Sequence, residues 1–511
     1  MMSSLYIGAT GLKSHGEGMA TIGHNLANVN TVGYKQISME FCDLVNQFVT
    51  ASSGNMTNIN QKGAGARPLD TRTLFVEGGF ESGSASTDMA INGLGFFGVS
   101  KKGVTHYTRA GDFRFTKDGA LVDPSGWTLL GRAIVNGVES STPTPIQLDM
   151  SDSGAGYMKP KASTYVTATC NLGGLEDKSS DPANPFFSMA ANWDGTATPP
   201  LGANAYSYSE SIAFYDAQGT LRSARIYYDK AGQSGGKAVA EYLVAMDPAQ
   251  DGSSRAKTDA AGLLMAGTIT FGSNGEMLKL TAFSPPPSGN SADLSNWTPA
   301  AIINGKPAFT AHYKPAEGQS SSQSAPQSVA LDIGYSYGTG GSTGGGMASA
   351  ADAAGNPAAV YAGEQGRILA PDATTMLGDA PSAGVSNRDG WSEGWLRDIT
   401  INREGIATGL YSNGESQDLY RVTLYRFTSQ DGLRNEGNNH FSATPQSGAV
   451  EEGVPGDENF GTIAEYSLEQ SNVDYAREFS RMIVVQRGFQ MNSKVITTSD
   501  TMLQRALELK R

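Results

Sequence analysis

Residues 471–511 read SNVDYAREFSRMIVVQRGFQMNSKVITTSDTMLQRALELKR, with no proline and one glycine, Gly488. Ser471-Asn472-Val473-Asp474 resembles a helix capping box. Apolar residues then return every seven positions: Tyr475, Met482, Phe489, Ile496 and Leu503, a series that Leu468 extends backwards. A seven-residue apolar repeat is the seam along which one helix packs on another. The spacing predicts one long helix, or two in line, over about 472–511. The start of the chain repeats the pattern with Leu5, Leu12, Met19 and Leu26, behind Ser3 and Ser4 as caps. Gly8, Gly11, Gly16, Gly18 and Gly23 sit inside this first helix, which is expected over 5–28. Each glycine weakens an isolated helix by up to about 1 kcal/mol relative to alanine. The helix should be marginal alone and stable once packed. Its small residues also permit close approach of another helix. Seams of this kind most simply mean ordinary core or a plain coiled coil. Their place at the two ends of the chain points further, to ends that meet and to packing partners in other copies of the chain.

Between the ends the text changes. Residues 31–72 are rich in Asn, Gly and Ser and read as an extended connector. From Leu74 to Arg132 the pattern is β, with turns at Lys101-Lys102-Gly103 and Asp118-Gly119. Pro143 and Pro145 mark a boundary. The stretch 147–384 is rich in Gly, Ser, Thr and Ala. It holds strand–turn–strand text such as Ile212–Tyr215, Asp216–Gly219, Leu221–Tyr228. Tyr337 to Gly346 is of low complexity and reads as a loop. Strand text resumes at Trp395, turns at Asn413-Gly414, and runs as one long strand over Leu419–Phe427. The expected class is α+β and multidomain: terminal helices in a coiled-coil-like inner domain, and mostly-β middle and outer domains in nested, discontinuous order. The expected divisions are 1–30 with 466–511, the connector 31–72, an inner β domain of 73–146 with 385–465, and an outer β region of 147–384.

Bulk numbers exclude several classes. The 511 residues carry a formal net charge of -13 with only 17% charged residues, which argues against nonspecific nucleic-acid binding and against an anionic membrane surface. The 63 glycines, without a collagen period, fit many turns and short strands. Two distant cysteines, Cys42 and Cys170, make neither a disulfide framework nor a metal pair. No apolar run approaches bilayer length. Met1–Gly11 lacks the features of a cleaved signal peptide.

No constellation supports an enzyme. Gly93-Leu94-Gly95-Phe96-Phe97-Gly98 fits a dinucleotide fingerprint, but that fingerprint needs a helix to follow, and Val99–Gly103 reads as strand and turn. The plainer reading is a β segment with Phe96 and Phe97 on opposite faces. His15, His24, His106, His312 and His440 are scattered, with His15 and His24 read as surface or interface polar residues of the first helix. Asp474 and Glu478 read as a solvated helix face rather than an acid pair. Catalytic residues, metal ligands and cofactors are therefore expected to be none.

Several stretches carry a resemblance. Asn25-Leu26-Ala27-Asn28-Val29-Asn30-Thr31-Val32-Gly33-Tyr34-Lys35 resembles the N-terminal signature of bacterial flagellar rod and hook proteins. Asp88–Phe97 and Tyr107–Phe113 resemble that family's core, and Leu468–Val473 with Met482–Asn492 resembles its C-terminal helix. The motif positions are Asn25, Asn28, Asn30, Gly33, Ser471 and Asn472. The length and the large insert with Phe214–Gly219 are similar to the outer domain of the hook branch, and Tyr411–Gly414 and Gly432-Leu433 are similar to its inner β domain. Distal rod subunits, the alternative within the family, are generally shorter. The Gly/Ser/Thr-rich middle taken alone would also suit a secreted β-rich adhesin.

The resemblance implies a structural subunit that polymerises into a curved hollow tube and serves as a universal joint between rod and filament. It implies export through the flagellar type III system and an extracellular place in the flagellum. The implied partners are further copies of the chain, the distal rod, a hook cap, a hook–filament junction protein and a hook-length control protein. Neither nucleic acid nor membrane insertion is expected. The implied self-packing residues are Leu5, Leu12, Met19, Leu26, Leu468, Met482, Phe489, Ile496 and Leu503. Cys170 lies in a segment that resembles the site of a lysine crosslink in some spirochaete hook proteins; a small buried residue is the plainer reading of it.

Overall fold

A computed structural model describes residues 2–508 except 46, 54–55, 152–153, 180, 182–184, 288–292, 315–324, 339–342, 344–348, 356–367 and 379. Most of the expected low-complexity loop at 337–346 lies outside these. Four α-helices are present among the described residues: α1 (Met2–Ala27), α2 (Ser188–Ala191), α3 (Ala350–Gly355) and α4 (Tyr475–Glu508). The remaining regular structure is mainly β-strand. The chain divides into two compact units, one of residues 1–158 with 395–511 and one of 159–394.

The first unit is woven from both halves of the chain. Residues 31–72 do not run as one connector. They carry β1 (Ile37–Asp43), β2 (Gln47–Ser53), β3 (Met56–Lys62) and β4 (Ala66–Thr73), with β1 pairing antiparallel to β4 and β2 to β3. Next come β5 (Phe80–Ser82), β6 (Met89–Asn92), β7 (Phe96–Lys101) and β8 (Val104–Thr108). Each of these four pairs with a strand more than 300 positions away: β5 with Ser467–Glu469, β6 with Thr462–Glu465, β7 with Leu424–Phe427 and β8 with His440–Ser442. Lys102 and Gly103 take the left-handed conformation that the tight β7–β8 turn requires.

The fingerprint-like glycine run opens β7, with no helix behind it. Phe97 faces a core with Met89, Ile91, Phe113, Leu129 and Val422, and Phe96 faces a second one with Tyr107, Phe427 and Phe441. Strand alternation thus places the two phenylalanines in separate cores. The long strand expected over Leu419–Phe427 breaks at Thr423. Ser416–Val422 pairs with Thr128–Val135, and Leu424–Phe427 moves to β7, so the chain changes partner at one buried residue.

Among the described residues the second unit holds two main sheets and a small two-stranded one, Tyr335–Ser336 with Ile368–Leu369. The larger follows the order Tyr208–Tyr215, Leu221–Ser234, Lys237–Met246, Leu263–Phe271, Phe283–Ser284, Thr298–Pro299. The turn after Tyr215 joins a hairpin with Tyr215 opposite Leu221. The smaller main sheet runs Ala301–Ile303, Lys306–Ala311, Gln327–Asp332, Tyr165–Asn171, Ser382–Arg388 and includes one parallel pair. Phe214, Ile226, Tyr228, Val244 and Phe271 meet Val166, Phe309 and Leu331 in one core. On the other face of the larger sheet, Val239, Leu243 and Ala245 pack with Phe187, Trp193 and Trp297.

Candidate functional site: the helix pair and its buried clasp

α1 and α4 lie side by side and antiparallel. Ser4 Oγ is 3.2 Å from Ser499 Oγ, and at the other end Asn25 Nδ2 donates to Glu478 Oε2 at 3.1 Å. The contact line on α1 is made of small and polar residues. A Cβ on Gly8 would stand 2.8 Å from Ile496, one on Gly11 2.5 Å from Asn492, and one on Gly488 of α4 2.6 Å from His15. The glycines that weaken α1 as an isolated helix are thus, in part, the surface on which α4 rests. Gly16 and Gly23 are different: nothing lies within 4 Å of a Cβ at either. Gly65 packs against Thr10, and Phe41 of β1 against Gly18, so the β1–β4 ladder covers another side of α1.

The apolar heptads flank this contact line. Leu5, Leu12, Met19 and Leu26 are half-buried on α1; Met482, Ile496 and Leu503 are half-buried on α4, and Phe489 is exposed. Leu468 does not belong to the helix: it lies in the strand Ser467–Glu469 opposite Glu81 of β5. α4 is one helix, and Asp474 caps it by accepting the Arg477 N–H at 2.9 Å. Ser471 Oγ accepts from Val473 N one turn earlier. Val484, Met491 and Met502 leave 69%, 66% and 55% of their surface uncovered. A single subunit therefore does not bury the apolar surface of its own helices.

Where α1 ends and α4 begins, a buried polar cluster ties the chain together. Asn25 uses its whole amide: Nδ2 donates to Ile37 O and Glu478, and Oδ1 accepts from Tyr34 Oη and Ile37 N, both at 3.0 Å. Glu478 is 1% exposed and also accepts from Gln36 Nε2 at 2.7 Å and Arg481 Nη1 at 2.8 Å. The expected solvated face at Glu478 is thus a buried junction, because the loop after α1 folds over it. Asn472 accepts from Gln36 N at 2.7 Å and donates to Leu74 O at 2.7 Å and Val76 O at 3.0 Å.

Glu469, fully buried, accepts from Lys35 Nζ at 2.5 Å and Gly78 N at 2.9 Å, and pairs with Arg109 at 3.5 Å. Its backbone carbonyl accepts from Gly33 N at 2.7 Å. Gly33 has φ +68, and a Cβ there would meet Ala110 N at 2.5 Å, so this position requires glycine. Burial pushes the Lys35 ammonium below its usual range, while Glu469 opposes that shift. Burial likewise lowers Arg109, again against Glu469. Burial, aided by Glu478, pushes Tyr34 up to about 12, so its hydroxyl remains a donor to Asn25.

Of the motif positions, Asn25, Gly33 and Asn472 belong to this cluster. Asn28 makes a local cap to His24 O and accepts from Thr31, while Asn30 is exposed. The sequence pattern does not mark Lys35, Gln36, Arg109, Glu469 and Glu478 as site residues, because single buried polar groups leave no periodic trace. The available signal was the density of amides and charges in two segments whose helices must meet. Cys170 lies elsewhere, buried in the core of the second unit, where burial pushes its thiol up to about 12. Among the described residues no group of three His, Cys, Asp or Glu could hold a metal ion. No helix among them is long and apolar enough to cross a membrane.

Comparison with known proteins follows the same map. Residues 5–35 match the flagella basal body rod protein family and 464–509 the flagellar basal body rod FlgEFG protein C-terminal family. Between them, 90–154 match the flagellar hook protein FlgE/F/G D1 domain and 188–355 the flagellar basal body protein FlaE D2 domain. The chain belongs to the flagellar rod and hook protein family. Flagellar hook protein FlgE of Borreliella burgdorferi is 28% identical over 100% of both chains, and that of Treponema pallidum 26% identical over 100% of both. The Escherichia coli relative of the same name is 26% identical over 98% of each. The Helicobacter pylori flagellar hook protein FlgE2 crystal structure shows a TM-score of 0.44 at 15% identity, covering 76% of this chain and 100% of that one. At that distance the assignment rests on the sequence relatives. Within the family the chain is a structural subunit of the flagellar hook and not an enzyme.

Proposed function

We propose that the subunit polymerises through the α1–α4 pair, with α4's uncovered apolar residues packing on neighbouring copies in a tubular wall. The observation that carries this is the exposure of Val484, Met491 and Met502 on a helix whose other side is already occupied. Burying one such side chain contributes about 1.5–3 kcal/mol, available only on assembly. Leu5, Leu12, Met19, Leu26, Met482, Phe489, Ile496 and Leu503 extend the same packing, with Leu468 contributing from its strand.

In this reading 1–30 and 466–511 supply the wall, 31–72 a brace, 73–146 with 385–465 an inner β body, and the insert read as 147–384 the yielding contacts. A firm wall with yielding contacts elsewhere is what a universal joint carrying torque from rod to filament requires. Type III export, an extracellular position, and docking to the distal rod, hook cap, junction and length-control proteins accompany that role. In the test, Val484→Glu with Met491→Glu should leave the monomer's far-ultraviolet spectrum unchanged and abolish sedimentable polymer. Polymer at wild-type yield would overturn the proposal.

A further inference from the structure

Among the buried carboxyl groups of the second unit, Asp229 and Glu241 stand side by side and are not used by the hook function. Asp229 of Leu221–Ser234 stands directly opposite Glu241 of Lys237–Met246 in an antiparallel ladder, and Glu241 in turn stands opposite Thr268. Residues directly opposite share a face, with Cβ atoms roughly 4.5–5.5 Å apart. Asp229 is 0% exposed and Glu241 2%. Among the described residues neither carboxyl is in an ion pair.

Both groups reach to the segment that covers this face, residues 176–179 and 185–193. Asp229 accepts from Ser179 N at 2.6 Å and from Lys178 N at 3.1 Å. Glu241 accepts from Met189 N with both oxygens, at 3.3 Å each. Along its strand Glu241 interrupts an otherwise apolar row of Val239, Leu243 and Ala245. That row packs under Phe186, Phe187, Met189 and Trp193 of the cover.

We propose that Asp229 and Glu241 form a protonation-sensitive fastener for this cover, holding it more firmly in mild acid than at neutral pH. Two like charges in adjacent buried positions cannot both ionise cheaply. The surrounding charges add to the effect. Asp177 raises both groups, and Glu176 and Asp181 lie on the same segment. The cations nearby are Lys178, whose ammonium sits 3.6 Å from Glu176, and Lys230, which is exposed.

Burial pushes Asp229 up to about 6 and Glu241 well above the ordinary carboxyl range. An acid raised in the folded state binds protons more tightly folded than unfolded. The stabilisation is therefore complete below the unfolded value and is lost as pH rises through about 6. Each proton taken up on closing corresponds to roughly tenfold per pH unit in the closing equilibrium.

Hydrogen exchange of the full chain, read by mass spectrometry and corrected for intrinsic rates, tests this. A peptide covering 185–193 should lose about tenfold or more of its protection between pH 5 and pH 7, the range in which Asp229 gives up its proton. A peptide from Leu263–Phe271 should lose none. Asp229→Asn combined with Glu241→Gln should hold the cover at constant protection across that range. Equal protection of 185–193 at both pH values in the wild-type chain would overturn the proposal, and so would a pH loss that persists in the double variant. If the double variant does not fold, the wild-type profile decides alone.

Discussion

The clasp between the helices and the core of the second unit are both buried, yet they are held by opposite means. The core places Phe214, Phe309, Tyr228 and Val244 against one another with little that is charged. The clasp places Lys35, Arg109, Glu469 and Glu478 where a core would place leucines. Apolar packing is tolerant of sequence but has no preferred register. A charge held by named partners fits one arrangement, and removing a single partner leaves the others desolvated. The clasp therefore fixes where α1 ends and α4 begins, and the helices need not fix it themselves.

The comparison breaks most sharply at Glu469. Glu469→Ala strands Lys35, Arg109 and the Gly78 N–H, and should cost about 3–5 kcal/mol, read as a lowered first-unit transition in calorimetry. A loss under about 1 kcal/mol would mean that water replaces the carboxylate and that the clasp is not dry. Phe309→Ala should cost the second unit about 3–5 kcal/mol by leaving a cavity, with the helical signal of the first unit unchanged. Loss of both signals together would show that the two units unfold as one.

Smaller effects separate the two kinds of glycine in α1. Gly8→Leu drives a side chain into Ile496 and should destabilise the helix pair by about 1–3 kcal/mol in thermal unfolding. Gly16→Ala meets open space and should stabilise the monomer by roughly 0.5–1 kcal/mol. If the same change weakens polymer formation, the open side of α1 is where a neighbouring copy approaches.

Much of this was legible in the residues. The two helices, the turns at Lys102-Gly103 and Gly119, and the facing of Phe96 and Phe97 follow from periodicity and left-handed glycines, which are local signals. The break at Thr423 was not legible, because a strand that changes partner keeps its alternation. Glu478 reads as solvated for a related reason. On a helix its neighbours are polar, and only Gln36 and Asn25, more than 400 positions earlier, make it buried. Residues 31–72 read as a connector because self-pairing between polar strands leaves no apolar mark.

The antiparallel arrangement of α1 and α4 has a further consequence for the order of folding. Ser4 meets a residue made 495 positions later. α1 cannot find its surface until the residues around Ser499 exist. Closing so long a loop is disfavoured only logarithmically with length. The β bodies that form in between shorten the effective span. The helix pair is thus expected to close last, as a seal on a chain that has already organised its middle.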